Sequence, residues 1–253
     1  MEKTIVLVSY GTAESKAWEA SVGRLKAEIE MQYGQWTIAE ALTGRRVIEK
    51  WRQAGRDVRN ETEVLEWLQK EGCQRVILLP THLTEGREFD KVQAAVKEKQ
   101  AAFNQLQIGQ PLLAEPTMRL RLARAIEEEA AVQAGETLVL VGHGTLTEAN
   151  CVYRQLEENL EDIAAGPVCV TTLQDGDSWK ERIPTKKICL IPLLLTAGRH
   201  ALQDIVGDQE ESIKSQMTAA GFTVRTIEKG LAESAAVRAI YKDQIAELIK
   251  KTE

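Results

Sequence analysis

The chain has 253 residues, 43% of them hydrophobic, which is enough for one large α/β unit or two lobes of ordinary domain size. Its net charge of −6 excludes nucleic acid as the main partner, because phosphate binding needs a basic surface. No apolar run nears the ~20 residues that span a bilayer, no targeting segment is visible, and a cytoplasmic protein without a membrane partner is expected.

In chain order, the first strand is predicted at Thr4–Val8, and after it Trp18, Val22, Leu25 and Ile29 fall on one face of a helix. A basic segment follows, with Arg45, Arg46, Lys50, Arg52, Arg56 and Arg59, partly offset by Glu49 and Asp57. Further strands are predicted at Val76–Leu79, Leu138–Val141 and Ile188–Ile191, and a last helix carries Val237, Tyr241, Ile245 and Leu248 on one face. The strands are apolar on consecutive positions rather than alternate ones, as in parallel sheets covered on both faces by helices. Cys73, Cys151, Cys169 and Cys189 form no CxxC pair and read as reduced thiols, most of them beside apolar runs.

The chain repeats itself. VLVSYGT (6–12) matches VLVGHGT (139–145), and RVILLPTHLTEGRE (75–88) matches KICLIPLLLTAGRH (187–200). A weaker echo pairs Arg124-Ala125-Ile126 with Arg238-Ala239-Ile240, in the same order. The expected fold is therefore α/β: two similar, doubly wound, flavodoxin-like lobes with parallel sheets, related by internal duplication. The lobes are expected at 1–126 and 137–253, joined by EEEAAVQAGE at 127–136, with the last helix free to pack back on the N-terminal lobe.

The repeats share the residues that shape a turn and differ in those that do chemistry. Tyr10 stands opposite His143, and Glu88 opposite His200. Ligands of open α/β sheets bind beyond the carboxyl ends of the strands, so these four residues are expected to face one cleft. The chain has only three histidines, and His143 lies between two glycines that allow close approach. His82 aligns with the apolar Leu194 and reads as structural. Two imidazoles plus a carboxylate suit a borderline divalent ion. Arg87 and Arg199 adjoin the candidate ligands, and guanidinium groups grip carboxylates bidentately. No HExxH, GxxxxGK[ST] or GxSxG motif is present, and GHGTLT lacks the third glycine of a dinucleotide fingerprint.

VSYGT, AEALTGRRVIEKWRQ, THLTEGREFDKV, VGHGT and PLLLTAGRHALQDI together resemble the anaerobic sirohydrochlorin cobalt chelatases, class II chelatases related to ferrochelatases, over nearly the whole chain. The resemblance implies a chelatase-like fold and a lyase that inserts Co(II) into a sirohydrochlorin-type tetrapyrrole during cobalamin biosynthesis. His143 is then proton acceptor and metal ligand, His200 a second ligand and Glu88 an active-site carboxylate. Tyr10, Arg45, Arg46, Arg87 and Arg199 are assigned to the tetrapyrrole. No cofactor is expected beyond the substrate metal, with Fe(II) or Ni(II) as alternatives to Co(II), and a homo-oligomer is compatible. A non-catalytic tetrapyrrole or metal carrier stays open. Thr172 stands where the family often has a further glutamate, leaving Glu88, Asp175 or water as third ligand.

Overall fold

A computed structural model describes residues 2–145 and 147–251. The chain divides into two compact units, one formed by residues 1–112 with 238–253, the other by 113–237.

The first unit runs β1 (Lys3–Ser9), α1 (Ser15–Trp18), a π-helical turn at Glu19–Gly23, α2 (Arg24–Gln32), β2 (Thr37–Leu42), α3 (Arg45–Gln53), α4 (Glu61–Lys70), β3 (Arg75–Pro80), α5 (Arg87–Lys99) and β4 (Gln105–Ile108). Its strands form a parallel sheet in the order β2-β1-β3-β4. From Ile5 to Val8 every residue of β1 is at most 1% exposed, which the consecutive apolar run requires of a strand covered on both faces. Val6, Val8 and Leu78 pack with Leu65 and Leu68 of α4 and Val92 and Val96 of α5.

The second unit comprises α6 (Pro116–Ala130), β5 (Glu136–Gly142), α7 (Cys151–Glu161), β6 (Val168–Thr172), β7 (Lys187–Leu193), α8 (Ile213–Ala219) and β8 (Thr223–Thr226). Its sheet is parallel in the order β6-β5-β7-β8, the same arrangement as the first. The register is also the same. Lys3 pairs with Arg75 and Val8 with Pro80, as Glu136 pairs with Lys187 and Val141 with Pro192. Trp179 is wholly buried here among Val139, Ile188 and Met217. The last helix, α9 (Ala235–Lys250), is counted from Arg238 onward in the first unit.

The units are bounded differently from the expected lobes. EEEA at 127–130 is the last turn of α6 and not a connector, and that helix starts at Pro116 with Glu115 accepting from Met118 N at 2.7 Å. The helix after the fourth strand of each repeat thus belongs with the other repeat's sheet: α6 with the second unit, α9 with the first. Arg238 of α9, 2% exposed, and Lys242 both hold Glu28 of α2. Burial alone would raise the Glu28 carboxyl, but the hydrogen bonds from Lys242 and Arg238 outweigh it and hold the group below the ordinary carboxylate range.

Cys73, Cys169 and Cys189 are buried, and burial pushes the thiols of Cys169 and Cys189 up to about 11, while Cys151 is exposed. Among the described residues no helix is long and apolar enough to cross a membrane.

Candidate functional site

In the second unit, His143 follows the last residue of β5 and His200 opens a π-helical segment, His200–Ile205, beyond β7. Both lie past the carboxyl ends of adjacent strands. Their ring centres are 5.1 Å apart with the planes at 79°. Two imidazoles on one tetrahedral ion, with metal–nitrogen bonds of about 2.0–2.1 Å, bring their ring centres to roughly 5 Å. The observed spacing is compatible with two ligands to a single ion, and it is also that of an edge-to-face ring contact.

The ring nitrogens are not equivalent. His143 Nδ1 lies 3.2 Å from the Gly144 carbonyl, which only accepts, so the contact favours the neutral tautomer with the proton on Nδ1, the form that leaves the Nε2 lone pair free. His200 Nδ1 faces Asp204 Oδ2 at 2.5 Å, and a carboxylate fixes the same tautomer there. Each histidine presents Nε2. Asp204 was not among the residues singled out from sequence, and its one signal was a position four residues after a histidine in a helical run.

The loop that carries His143 is held from below. A Cβ added at Gly142 would lie 2.5 Å from Tyr153 Cε1, and one at Gly144, where φ is +79°, would lie 2.6 Å from Thr172 Oγ1. Tyr153 OH accepts from Gly144 N–H, and burial, with a smaller contribution from Asp175, pushes the phenol up to about 12. Thr172 and Asp175 also serve this loop. Asp175 Oδ2 accepts from Thr172 N and Thr172 Oγ1, both at 2.8 Å, and from Thr171 Oγ1 at 3.3 Å. That oxygen closes the turn after β6, which speaks against Asp175 as the third ligand. Among the described residues no three His, Cys, Asp or Glu side chains gather as a metal cage. The histidine pair therefore stands without a third His, Cys, Asp or Glu placed to share an ion with it among the described residues.

The other candidates divide between the units. Arg199, in the second, is exposed and donates to Gln203 Oε1 at 2.9 Å. In the first unit, Tyr10 is 50% exposed beyond β1, and the close approach of Gly44 to its carbonyl leaves no room for a side chain. Arg45 pairs with Glu49 at 3.0 Å, whereas Arg46 and Arg87 are exposed and have no hydrogen-bond or ion-pair partner among the described residues. The rest of the basic segment is largely spent locally: Arg52 on Glu63, Arg56 over the Trp51 ring and Arg59 over the Trp67 ring.

Glu88, in the first turn of α5, is half-buried, and both its oxygens receive Lys91 Nζ, at 2.8 and 2.9 Å. Beside it, His82 Nε2 lies 3.1 Å from Thr43 Oγ1, while Nδ1 is shut off from solvent without a partner among the described residues. Burial pushes His82 down to about 4, and the Glu88 charge, which favours the cation, and Lys91, which opposes it, weigh less. The unfolded chain takes up this proton below about 6.5, the folded protein only near 4, so stability falls as pH drops across that window. The loss approaches about 3 kcal/mol. Denaturant titrations at stepped pH check this. His82→Leu, which copies Leu194, is expected to flatten the fall, and an undiminished pH slope in that variant refutes the assignment.

A family model described as cobalt chelatase (CbiK) matches residues 3–250. A sirohydrochlorin cobaltochelatase of Salmonella typhimurium is 26% identical over 248 residues, 95% of this chain and 94% of that protein. Sirohydrochlorin cobaltochelatase CbiKC of Nitratidesulfovibrio vulgaris is 27% identical over 246 residues, 92% of this chain and 85% of that one. The structure of SirB from Bacillus subtilis with Fe3+ aligns with a TM-score of 0.65 at 12% identity, over 98% of this chain and 95% of that chain, a likeness of fold.

Proposed function

The chain belongs to the cobalt chelatase (CbiK) family, and from that premise we propose that it is a sirohydrochlorin cobaltochelatase acting in the cytoplasm, in cobalamin biosynthesis. The relatives carry that name. The observation that carries the reading here is the His143–His200 pair, ring centres 5.1 Å apart, each Nδ1 engaged and each Nε2 left for an ion.

Insertion exchanges two pyrrole N–H protons for one divalent ion, so the site has to deliver a metal and accept protons. We assign capture of the ion to His143 and His200, and acceptance of one pyrrole proton to His143 Nε2 as the ion leaves it, the second proton passing to solvent water; the hydrogen-bond partner of His143 among the described residues is a backbone carbonyl. An ion held by two imidazoles and water passes downhill to four ring nitrogens. Glu88 is assigned as an active-site carboxylate. Tyr10, Arg45, Arg46, Arg87 and Arg199 are assigned to the tetrapyrrole, and the unpaired state of Arg46 and Arg87 supports that use, since neither must first break an ion pair.

Two measurements test the proposal. Pure protein mixed anaerobically with sirohydrochlorin and Co(II), Fe(II) or Ni(II) is followed by absorption. Spectral conversion fastest with Co(II) is expected, faster iron or nickel insertion reassigns the metal, and tetrapyrrole binding without conversion leaves a carrier. Glutamine at Arg45, Arg46, Arg87 and Arg199 together is expected to weaken tetrapyrrole binding and to reduce its sensitivity to salt. An unchanged dissociation constant removes these arginines from the site.

A further inference from the structure

We propose that Asp204 is a positioning residue for metal capture: its carboxylate holds His200 in the Nδ1–H form and keeps the Nε2 lone pair directed to the incoming ion. The inference rests on the reading of His200 as a ligand of the substrate metal and extends it one residue outward.

Three observations carry it. His200 Nδ1 and Asp204 Oδ2 are 2.5 Å apart, and a carboxylate accepts without donating, so only one tautomer satisfies the contact. His200 is the one hydrogen-bonding partner of the Asp204 side chain among the described residues. Both side chains are substantially exposed, 52% and 40%, so the pair is not there to neutralise a buried charge. Asp175 is the contrast, since its Oδ2 takes three bonds from the turn it closes.

The two histidines also explain why a side chain is needed at one and not at the other. His143 sits in a loop, where the neighbouring Gly144 carbonyl reaches its Nδ1. His200 opens a helical segment, whose carbonyls point along the axis and away from side chains. The π-helical winding of His200–Ile205 brings Asp204 to the imidazole from the next turn instead. A carboxylate on Nδ1 also raises the donor strength of Nε2, and partners of this kind change metal affinity by roughly 10–100-fold.

The test uses Asp204→Ala, Asp204→Asn and Asp204→Glu in the full chain. Each is titrated anaerobically with Co(II) alone, followed by the metal's visible absorption, and then assayed for insertion with Co(II) varied at saturating sirohydrochlorin. Asp204→Ala is expected to raise both the Co(II) dissociation constant and the KM for Co(II) by roughly 10–100-fold. kcat at saturating metal and the KM for the tetrapyrrole should change little. Asp204→Glu should recover part of the affinity, and Asp204→Asn, which accepts without charge, should fall between. Wild-type Co(II) affinity in Asp204→Ala overturns the proposal. So does a loss shared by kcat and tetrapyrrole KM with a lowered melting temperature, the mark of a merely structural role. His200→Ala separates the two levels. If it binds Co(II) like wild type, the reading of His200 as a ligand fails; if it loses the metal while Asp204→Ala does not, only the role of Asp204 fails.

Discussion

His143→Ala is expected to lower the rate of cobalt insertion by about 10²–10⁴-fold, with no recovery at raised metal concentration. The side chain is exposed and its one hydrogen bond among the described residues is to the adjacent Gly144 carbonyl, so its removal opens no cavity and leaves thermal stability where it was. The size follows from two duties, ligation of the ion and acceptance of a pyrrole proton, and added metal compensates only for the first. His200→Ala is the control. It loses a ligand alone, and its rate should climb back as metal is raised. Steady-state rates against Co(II) concentration for both variants decide the matter. Equal response to metal shows that the roles are divided wrongly, and a fully active His143→Ala protein removes the proposed mechanism.

Gly144→Ala is expected to cost about 2–5 kcal/mol of stability, the sum of two separable effects. A left-handed backbone at φ +79° penalises a Cβ by about 1–2 kcal/mol, and the new methyl meets Thr172 Oγ1 at 2.6 Å, an overlap worth about 1–3 kcal/mol. Because the same peptide N–H reaches Tyr153 OH, any shift that relieves the overlap moves His143 as well, and insertion should slow. Thr172→Ala in the same chain should return the steric part and not the backbone part, an interaction that a double-mutant cycle of denaturation measurements isolates. Wild-type stability in Gly144→Ala shows that the loop is not held in this way.

The strands were readable because burial on both faces leaves uninterrupted apolar runs, and the two sheets were readable as copies because the repeats include residues that face each other in register, Val8 with Pro80 and Val141 with Pro192. His143 and His200 stood out because they replace Tyr10 and Glu88 at shared turns. What failed to show was whatever depends on pairing at a distance. EEEA at 127–130 has the charge run of a connector, yet it is the last turn of α6, with Ile126 and Ala130 buried on its inner side. The arginines of the 45–59 segment looked alike, yet Arg56 and Arg59 are spent on tryptophan rings while Arg46 is not. Thr172 looked like a missing ligand. It is the residue that packs beneath Gly144.

The first unit is discontinuous, residues 1–112 with 238–253, and that has a consequence for its birth on the ribosome. Its sheet is complete once β4 has emerged, but Glu28 still lacks Arg238 and Lys242, and the face that takes Tyr241 and Ile245, both wholly buried, stays bare. At translation speeds of about 5–20 residues per second, the intervening stretch takes roughly 6–25 s to synthesise. Throughout that interval the nascent chain carries an apolar surface awaiting its own last helix, while the continuous 113–237 segment has all its parts first. The unit whose synthesis starts first is therefore the one that matures last.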